Sequence, residues 1–155
     1  MTESHNPSAL TLNKAERLRH RTLVEDLFKE GETLYDWPLR LTCRTVGEEK
    51  LAASFRNVPP AGIGDLQMLI TVPKKKIRHA VDRVRLRRRI REAYRLNRLP
   101  LKAAVAANPE IRVLEMAFIY IGNQETDYAL IEKKMRRLLA MLAERVSKIG
   151  YSKSL

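Results

Sequence analysis

Sulfur and imidazole are scarce in this chain: one cysteine and three histidines in 155 residues. Cys43 alone can form neither an intramolecular disulfide nor a multi-thiolate metal site. His5, His20 and His79 do not stand at metal-ligand spacing from one another. Carboxylates are scattered, with adjacent pairs only at Glu25-Asp26 and Glu48-Glu49, whereas a two-metal nuclease gathers several acids around ions about 4 Å apart. No G-x-G-x-x-G or P-loop run occurs, and no internal repeat is visible. No apolar run approaches the ~20 residues that a transmembrane helix needs. The N-terminus, MTESHNPSAL, lacks a basic start and an apolar core segment. The expectation is a soluble, cytoplasmic chain without a membrane partner, with no catalytic residue, resident metal or protein partner of its own.

What the chain does have is positive charge in one place. Between Lys74 and Arg98 stand twelve basic residues and only two acidic ones, Asp82 and Glu92. The remaining 130 residues hold 18 basic and 16 acidic groups, so +10 of the formal net charge of +12 is concentrated in this one stretch. A sequence pI near 10.2 with clustered Lys and Arg is the electrostatic signature of a nucleic-acid binder.

The rest of the chain has the content of one domain, with 45% apolar residues to close a core. Residues 1–12 read as a mobile tail, 13–147 as the domain and 148–155 as a second tail. Thr22 and Glu25 have capping-box spacing ahead of Leu27 and Phe28, and Gly31 offers a left-handed stop, which predicts a helix over 22–30. Alternation places Leu39, Leu41 and Cys43 on one strand face and Arg40, Thr42 and Arg44 on the other. Cys43 thus reads as a small buried hydrophobe. A turn at 47–50, a short strand near 51–55 and a loop over 57–65 follow. Leu66–Val72, apolar on both faces, predicts a central strand. Pro73 and the basic turn 74–79 lead to a helix over 81–97, with Pro100 as its latest stop and a further helical turn at 101–108. A strand at 116–121 and a long helix capped by Thr126 or Asp127 complete the chain. Leu130, Ile131, Met135, Leu138, Leu139, Leu142 and Val146 give that last helix a core stripe. The fold class is α+β, one four-stranded sheet packed against helices in the order αβββαβα.

On a helix advancing ~100° per residue from Arg83, Arg87 lies at ~40°, Arg98 at ~60°, Arg91 at ~80°, Arg95 at ~120° and Arg88 at ~140°. Ala93, Leu86, Ile90 and Tyr94 form a separate stripe at ~280° through ~20°. The helix can bury that stripe and present arginines to a ligand. Arg83, Arg87, Arg91 and Arg95 make an unbroken i, i+4 row of like charge, which destabilises an isolated helix. A merely solvated face mixes signs, so ligand binding is the better reading, with guanidiniums suited to phosphate and Lys74, Lys75 and Lys76 adding point charges. Val84, at ~100°, sits amid the arc, or packs inward if the helix starts later.

These residues resemble a known family. Lys75-Lys76, Ala80-Val81 and Arg83-Val84-Arg85-Leu86-Arg87-Arg88, followed by Ile90-Arg91-Glu92, are similar to the signature K-K-x-x-x-A-V-x-R-N-R-I-K-R-x-I-R-E of the bacterial ribonuclease P protein subunit. Arg17-Leu18-Arg19 with Leu27-Phe28-x-x-Gly31 also resembles that family's opening helix, and the likeness covers about residues 12–142. It implies a left-handed βαβ crossover and a role as cofactor of a catalytic RNA that removes the 5′ leader from precursor tRNA, with Mg²⁺ bound mainly by the RNA. By carry-over, Arg83, Arg85, Arg87, Arg88 and Arg91 contact the RNA subunit or lie near its active site, and Phe28 lines a cleft for the leader. Phe28 has a second reading, as an ordinary buried helix position beside Val24. Arg40, Thr42 and Arg44 could line the polar side of such a cleft. Trp37 and His79 read as structural or peripheral to the basic face.

Two departures stand out. Val84 replaces the family asparagine and can neither donate nor accept a hydrogen bond, and Lys74 replaces a common serine. Two rival classes share the charge: an RNA-binding module such as a ribosomal protein, and a DNA-binding protein. The latter would want Asn or Gln among its arginines, and residues 83–91 contain neither.

Overall fold

The alternation at Leu39, Leu41 and Cys43 builds the second of four strands. In a computed structural model of the chain, the structure describes residues 11–56 and 61–149. Most of both expected tails, and part of the 57–65 loop, lie outside the described residues. The strands are β1 (Glu32–Asp36), β2 (Leu39–Val46), β3 (Leu66–Thr71) and β4 (Val113–Tyr120), in the spatial order β1-β2-β4-β3. Five helices accompany them: α1 (Arg21–Glu30), α2 (Glu48–Ser54), α3 (Ala80–Asn97), α4 (Leu99–Ala106) and α5 (Tyr128–Lys148). A 3₁₀ turn at Lys14–Glu16 precedes them. The β1-β2 and β2-β4 pairs are antiparallel, while β3 and β4 are parallel neighbours bridged by α3 and α4.

Three strands do precede the basic helix, but one is not where alternation put it. Residues 51–55 are not a strand; Glu48–Ser54 is a helix. Glu48 and Glu49 occupy its first turn, where the helix dipole favours carboxylates, and Ala52-Ala53 suits a helix better than a sheet. The missing strand is β1, in which only Leu34 is buried, leaving too short a pattern to recognise. Leu66–Val72 does not build a central strand either. β3 lies at the sheet edge, and the N-terminal segment covers its outer side, with the Leu18 N–H donating to the Met68 carbonyl at 2.9 Å. β4 is central and buried throughout.

Helix α1 begins at Arg21, behind His20, and Glu25 accepts from Arg21 Nε at 2.8 Å, so the expected Thr22 capping box is absent. Gly31 is extended (φ −71°, ψ 155°) and not left-handed. Space is what demands glycine there: a Cβ would stand 2.4 Å from the Leu27 carbonyl oxygen and 2.9 Å from the Thr42 methyl. Asp127 caps α5 as expected, accepting from the Leu130 N–H at 3.0 Å. Pro100 sits in the first turn of α4, where a missing N–H costs nothing.

The sheet has two unequal faces. Leu34, Leu39, Leu41, Cys43, Leu66, Met68, Met116, Phe118 and Tyr120 pack against α3, α4 and α5 in the main core. On the other face, Val46, Val113 and Ala117 meet Leu18, Leu23, Leu27, Leu51 and Ile63, which closes only part of that surface. The open remainder and the exposed side of α3 are the candidate site.

Candidate nucleic-acid interface

Helix α3 buries the predicted stripe, Leu86, Ile90, Ala93 and Tyr94, against the sheet and α5. Its arginines then divide by what holds them. Arg83 Nη1 donates to the Ile77 and Arg78 carbonyls at 3.0 and 2.7 Å, tying the helix start to the preceding turn. Arg85 reaches Glu125 and Asp82. Arg95 is bidentate on Glu92, with Nε and Nη2 at 3.0 and 2.6 Å, and the Glu92 carboxyl is held below its usual range by that hydrogen bond. Among the described residues, the side chains of Arg87, Arg88 and Arg91 make no hydrogen bond or ion pair, and the same is true of Lys74, Lys75, Lys76 and Arg78.

Arg98 does not belong to the exposed arc where the helical projection placed it. It is the residue after the last turn and only 2% exposed, with Nε and Nη2 on the two Glu16 carboxylate oxygens at 2.7 and 3.2 Å. Further donors reach the Arg95 and Thr11 carbonyls. Thr11 and Leu12, read as tail, are therefore docked on the domain. Val84 is 38% exposed and does not pack inward.

The Glu16–Arg98 pair brings the N-terminal segment alongside α3. A groove of about 470 Å³ results, with Met68, Leu69 and Ile70 along one side and Arg17, Arg19, Arg87 and Arg91 among its walls. None of these four guanidiniums has a polar partner among the described residues. The groove crosses the edge of β3 toward the open sheet face.

On that face the register sets cross-strand rows. Tyr35, Arg40, Ile119 and Thr71 form one, and Thr33, Thr42, Ala117 and Leu69 the next. Tyr35 (65% exposed) pairs with Arg40 across the β1-β2 register, and Phe28 (49% exposed) is an exposed aromatic on α1. Phe28 is thus not a buried helix position. Thr42 is buried beneath the end of α1. Arg44, placed in the cleft by alternation, is not available to a ligand. It is buried, donating from Nε to Glu115 at 2.9 Å and from Nη1 to Glu30 at 2.9 Å. Burial pushes the Glu115 carboxyl up, against the pull of that guanidinium.

Sequence reasoning passed over Arg89 and Tyr35. Arg89 falls outside the basic arc, and Tyr35 lies on a strand that alternation did not detect. Trp37 is half exposed beside its cis peptide bond to Pro38, and His79 is the residue preceding α3. A cavity of about 630 Å³ between β2 and the end of α5 has a charged rim largely paired with itself through Arg145–Glu32 and Arg44–Glu30, and it lies apart from the cations of α3. Among the described residues no His, Cys, Asp or Glu side chains group so as to hold a metal ion, and no helix is long and apolar enough to cross a membrane.

A four-stranded mixed sheet, a main core on one face and a largely uncompensated arginine helix define a small basic α+β protein whose exposed chemistry is cationic. The chain belongs to the ribonuclease P protein family, whose model, described as Ribonuclease P, matches residues 12–143. The ribonuclease P protein component of Porphyromonas gingivalis is 31% identical over 141 residues, covering 91% of this chain and 93% of that protein. That of Chlorobium phaeobacteroides is 31% identical over 134 residues, covering 83% and 86%. Two solved structures share the fold. The Staphylococcus aureus RNase P protein has a TM-score of 0.56 at 16% identity, over 83% of this chain and 95% of that one. The Thermotoga maritima RNase P protein has a TM-score of 0.55 at 23% identity, over 81% and 96%.

Proposed function

We propose that the chain is the protein component of ribonuclease P and assists a catalytic RNA in removing the 5′ leader from precursor tRNA. One observation carries this most directly. In a chain of this family, Lys74, Lys75, Lys76, Arg87, Arg88 and Arg91 form a run of cations without partners among the described residues along one turn and helix. Arg83, Arg85 and Arg95 extend that run, each keeping part of its guanidinium exposed while an internal acceptor fixes its direction. If about six such groups neutralise phosphates, log affinity falls with log salt at a slope of roughly −4 to −5.

The sheet-side cleft is the proposed place of the leader. A single strand wants aromatic faces and a positive groove, and Phe28, Tyr35 and Arg40 supply both, with buried Thr42 beneath them. The chain's own carboxylates are paired or dispersed and do not fit a metal centre, so the Mg²⁺ of the reaction is assigned to the RNA. The protein's part is binding and electrostatics, in the cytoplasm where precursor tRNA is processed. Cleavage of precursor tRNA by the cognate RNA at low Mg²⁺, with and without the protein, tests this. Stimulation is expected. An RNA that is active at high Mg²⁺ yet gains nothing from the protein would reject the assignment and leave a plain RNA-binding module.

A further inference from the structure

Helix α3 has a second cationic recess on the flank turned toward the start of α5. It measures about 510 Å³, and Arg85, Arg88, Arg89, Glu92, Arg95 and Tyr128 line it, with Arg91 on the ridge that it shares with the groove. Measured from Arg83, Arg85 lies at ~200° and Arg89 at ~240°, on the far side of the Val84–Arg91 ridge from Arg87. Arg89 also occupies a position that the family signature leaves open.

The guanidiniums of Arg85 and Arg89 are held in one particular way. Glu125, in the loop between β4 and α5, accepts from Arg85 Nη1 at 2.9 and 3.0 Å and lies 3.2 Å from Arg89 Nη1. Arg89 Nη1 also donates to the Thr126 carbonyl at 2.6 Å, and Arg85 Nη1 to Asp82 at 3.3 Å. Every polar contact of the two groups runs through Nη1. The Nε–Nη2 edge, whose parallel N–H bonds match two oxygens of a phosphate, is left without a partner among the described residues on both. Arg95 shows the contrast, since it spends that same edge on Glu92. Arg88 has no polar partner among the described residues.

A set of ion pairs whose role was only to hold α3 to α5 would do little for folding at this exposure. Nor would it leave the bidentate edges of two adjacent like charges unused. Tyr128 adds no charge of its own, because burial and Glu132 push its phenol up to about 12.

We infer that this recess is a second phosphodiester-binding site, in which Arg85, Arg88 and Arg89 take the phosphates of an RNA strand distinct from the one in the Arg87 groove. Glu125 acts as a positioning residue that holds Arg85 and Arg89 edge-outward. Helix α3 then lies between two RNA segments, one on each flank. The inference rests on the RNA-binding reading above.

Two measurements test it on the full chain. In the wild-type protein, titration with inorganic phosphate should shift the Nε–H NMR signals of Arg85 and Arg89 and leave that of Arg95 in place. Shifts confined to Arg87 and Arg91, or absent, would overturn the site. In binding to the ribonuclease P RNA, the Arg88→Ala/Arg89→Ala variant should lose roughly tenfold or more in affinity, with an unfolding midpoint lowered by no more than a few degrees for the lost Arg89 hydrogen bond. Its salt slope should be shallower by about 1 to 2. Wild-type affinity and slope in that variant, beside a loss in Arg87→Ala/Arg91→Ala, would reject the recess alone; no loss in either pair would reject the RNA-binding reading itself. Glu125→Gln should weaken binding at high salt although it removes a negative charge, and stronger binding at every salt concentration would show Glu125 to be a competitor of phosphate.

Discussion

Val84 is the residue at which the family signature and this chain part. Its 38% exposure on the ridge between the groove and the recess means that nothing in the core depends on it. An asparagine there would restore a donor and an acceptor where an RNA backbone is proposed to pass. Val84→Asn is therefore expected to change stability by no more than about 0.5 kcal/mol, as for surface substitutions away from special features. RNA affinity should stay equal or rise. A urea unfolding curve paired with a filter-binding isotherm checks both, and a drop of several kcal/mol would mean that the side chain packs in a way its exposure does not show. Arg44 makes the opposite point. Alternation placed it on the polar face of β2 correctly, but could not foresee that Glu115 on the neighbouring strand and Glu30 at the end of α1 would converge on it and take it out of the cleft.

At the scale of the element, the arginine helix was the most legible part of the chain. Its buried stripe follows from a 3.6-residue period, and that period survives folding. What helical geometry could not supply was the neighbourhood. Arg98 shared the arc by angle but lies past the last turn, facing Glu16, and Arg89 fell outside the arc yet lines a recess because α5 begins beside it. The strands were less legible for the same reason. β1 is short, with one buried position, and the apolar residues of 51–55 serve a helix that buries Leu51 alone. Within α3, the row Arg83, Arg87, Arg91, Arg95 places like charges one turn apart, and among the described residues only its two ends have hydrogen-bond partners. Removing Arg87 and Arg91 together relieves repulsion and breaks no hydrogen bond or ion pair among the described residues, so Arg87→Ala/Arg91→Ala should unfold at about the same temperature as the wild type. The same variant should bind RNA more weakly, with a salt slope shallower by about 1.5 to 2 for two lost phosphate contacts. Calorimetry and salt-dependent binding read the two effects separately. A lowered midpoint would make these arginines part of the fold.

For the whole molecule, the buried Glu16–Arg98 pair decides whether the N-terminal segment belongs to the domain. Sequence separates its members by 82 positions, and no periodicity links them. Glu16 is also the acceptor for the Asn13 N–H at 3.1 Å, so one carboxylate closes the 3₁₀ turn and fixes it to the end of α3. The same anchorage, together with the Leu18 N–H on the Met68 carbonyl and Gln67 Nε2 on the Ala15 carbonyl, sets Arg17 and Arg19 opposite Arg87 and Arg91. Removing one member leaves the other charge buried and uncompensated, which costs about 3–5 kcal/mol. Glu16→Ala or Arg98→Ala should therefore lower the unfolding midpoint by roughly 10 °C. Replacing both with apolar residues of similar size, Glu16→Leu/Arg98→Met, removes the stranded charge and should cost less than either single change. Comparing the three by urea denaturation gives the coupling directly. If the double variant loses as much as the sum of the singles, the two side chains stabilise the fold independently, and the N-terminal segment is held to α3 by its apolar contacts alone.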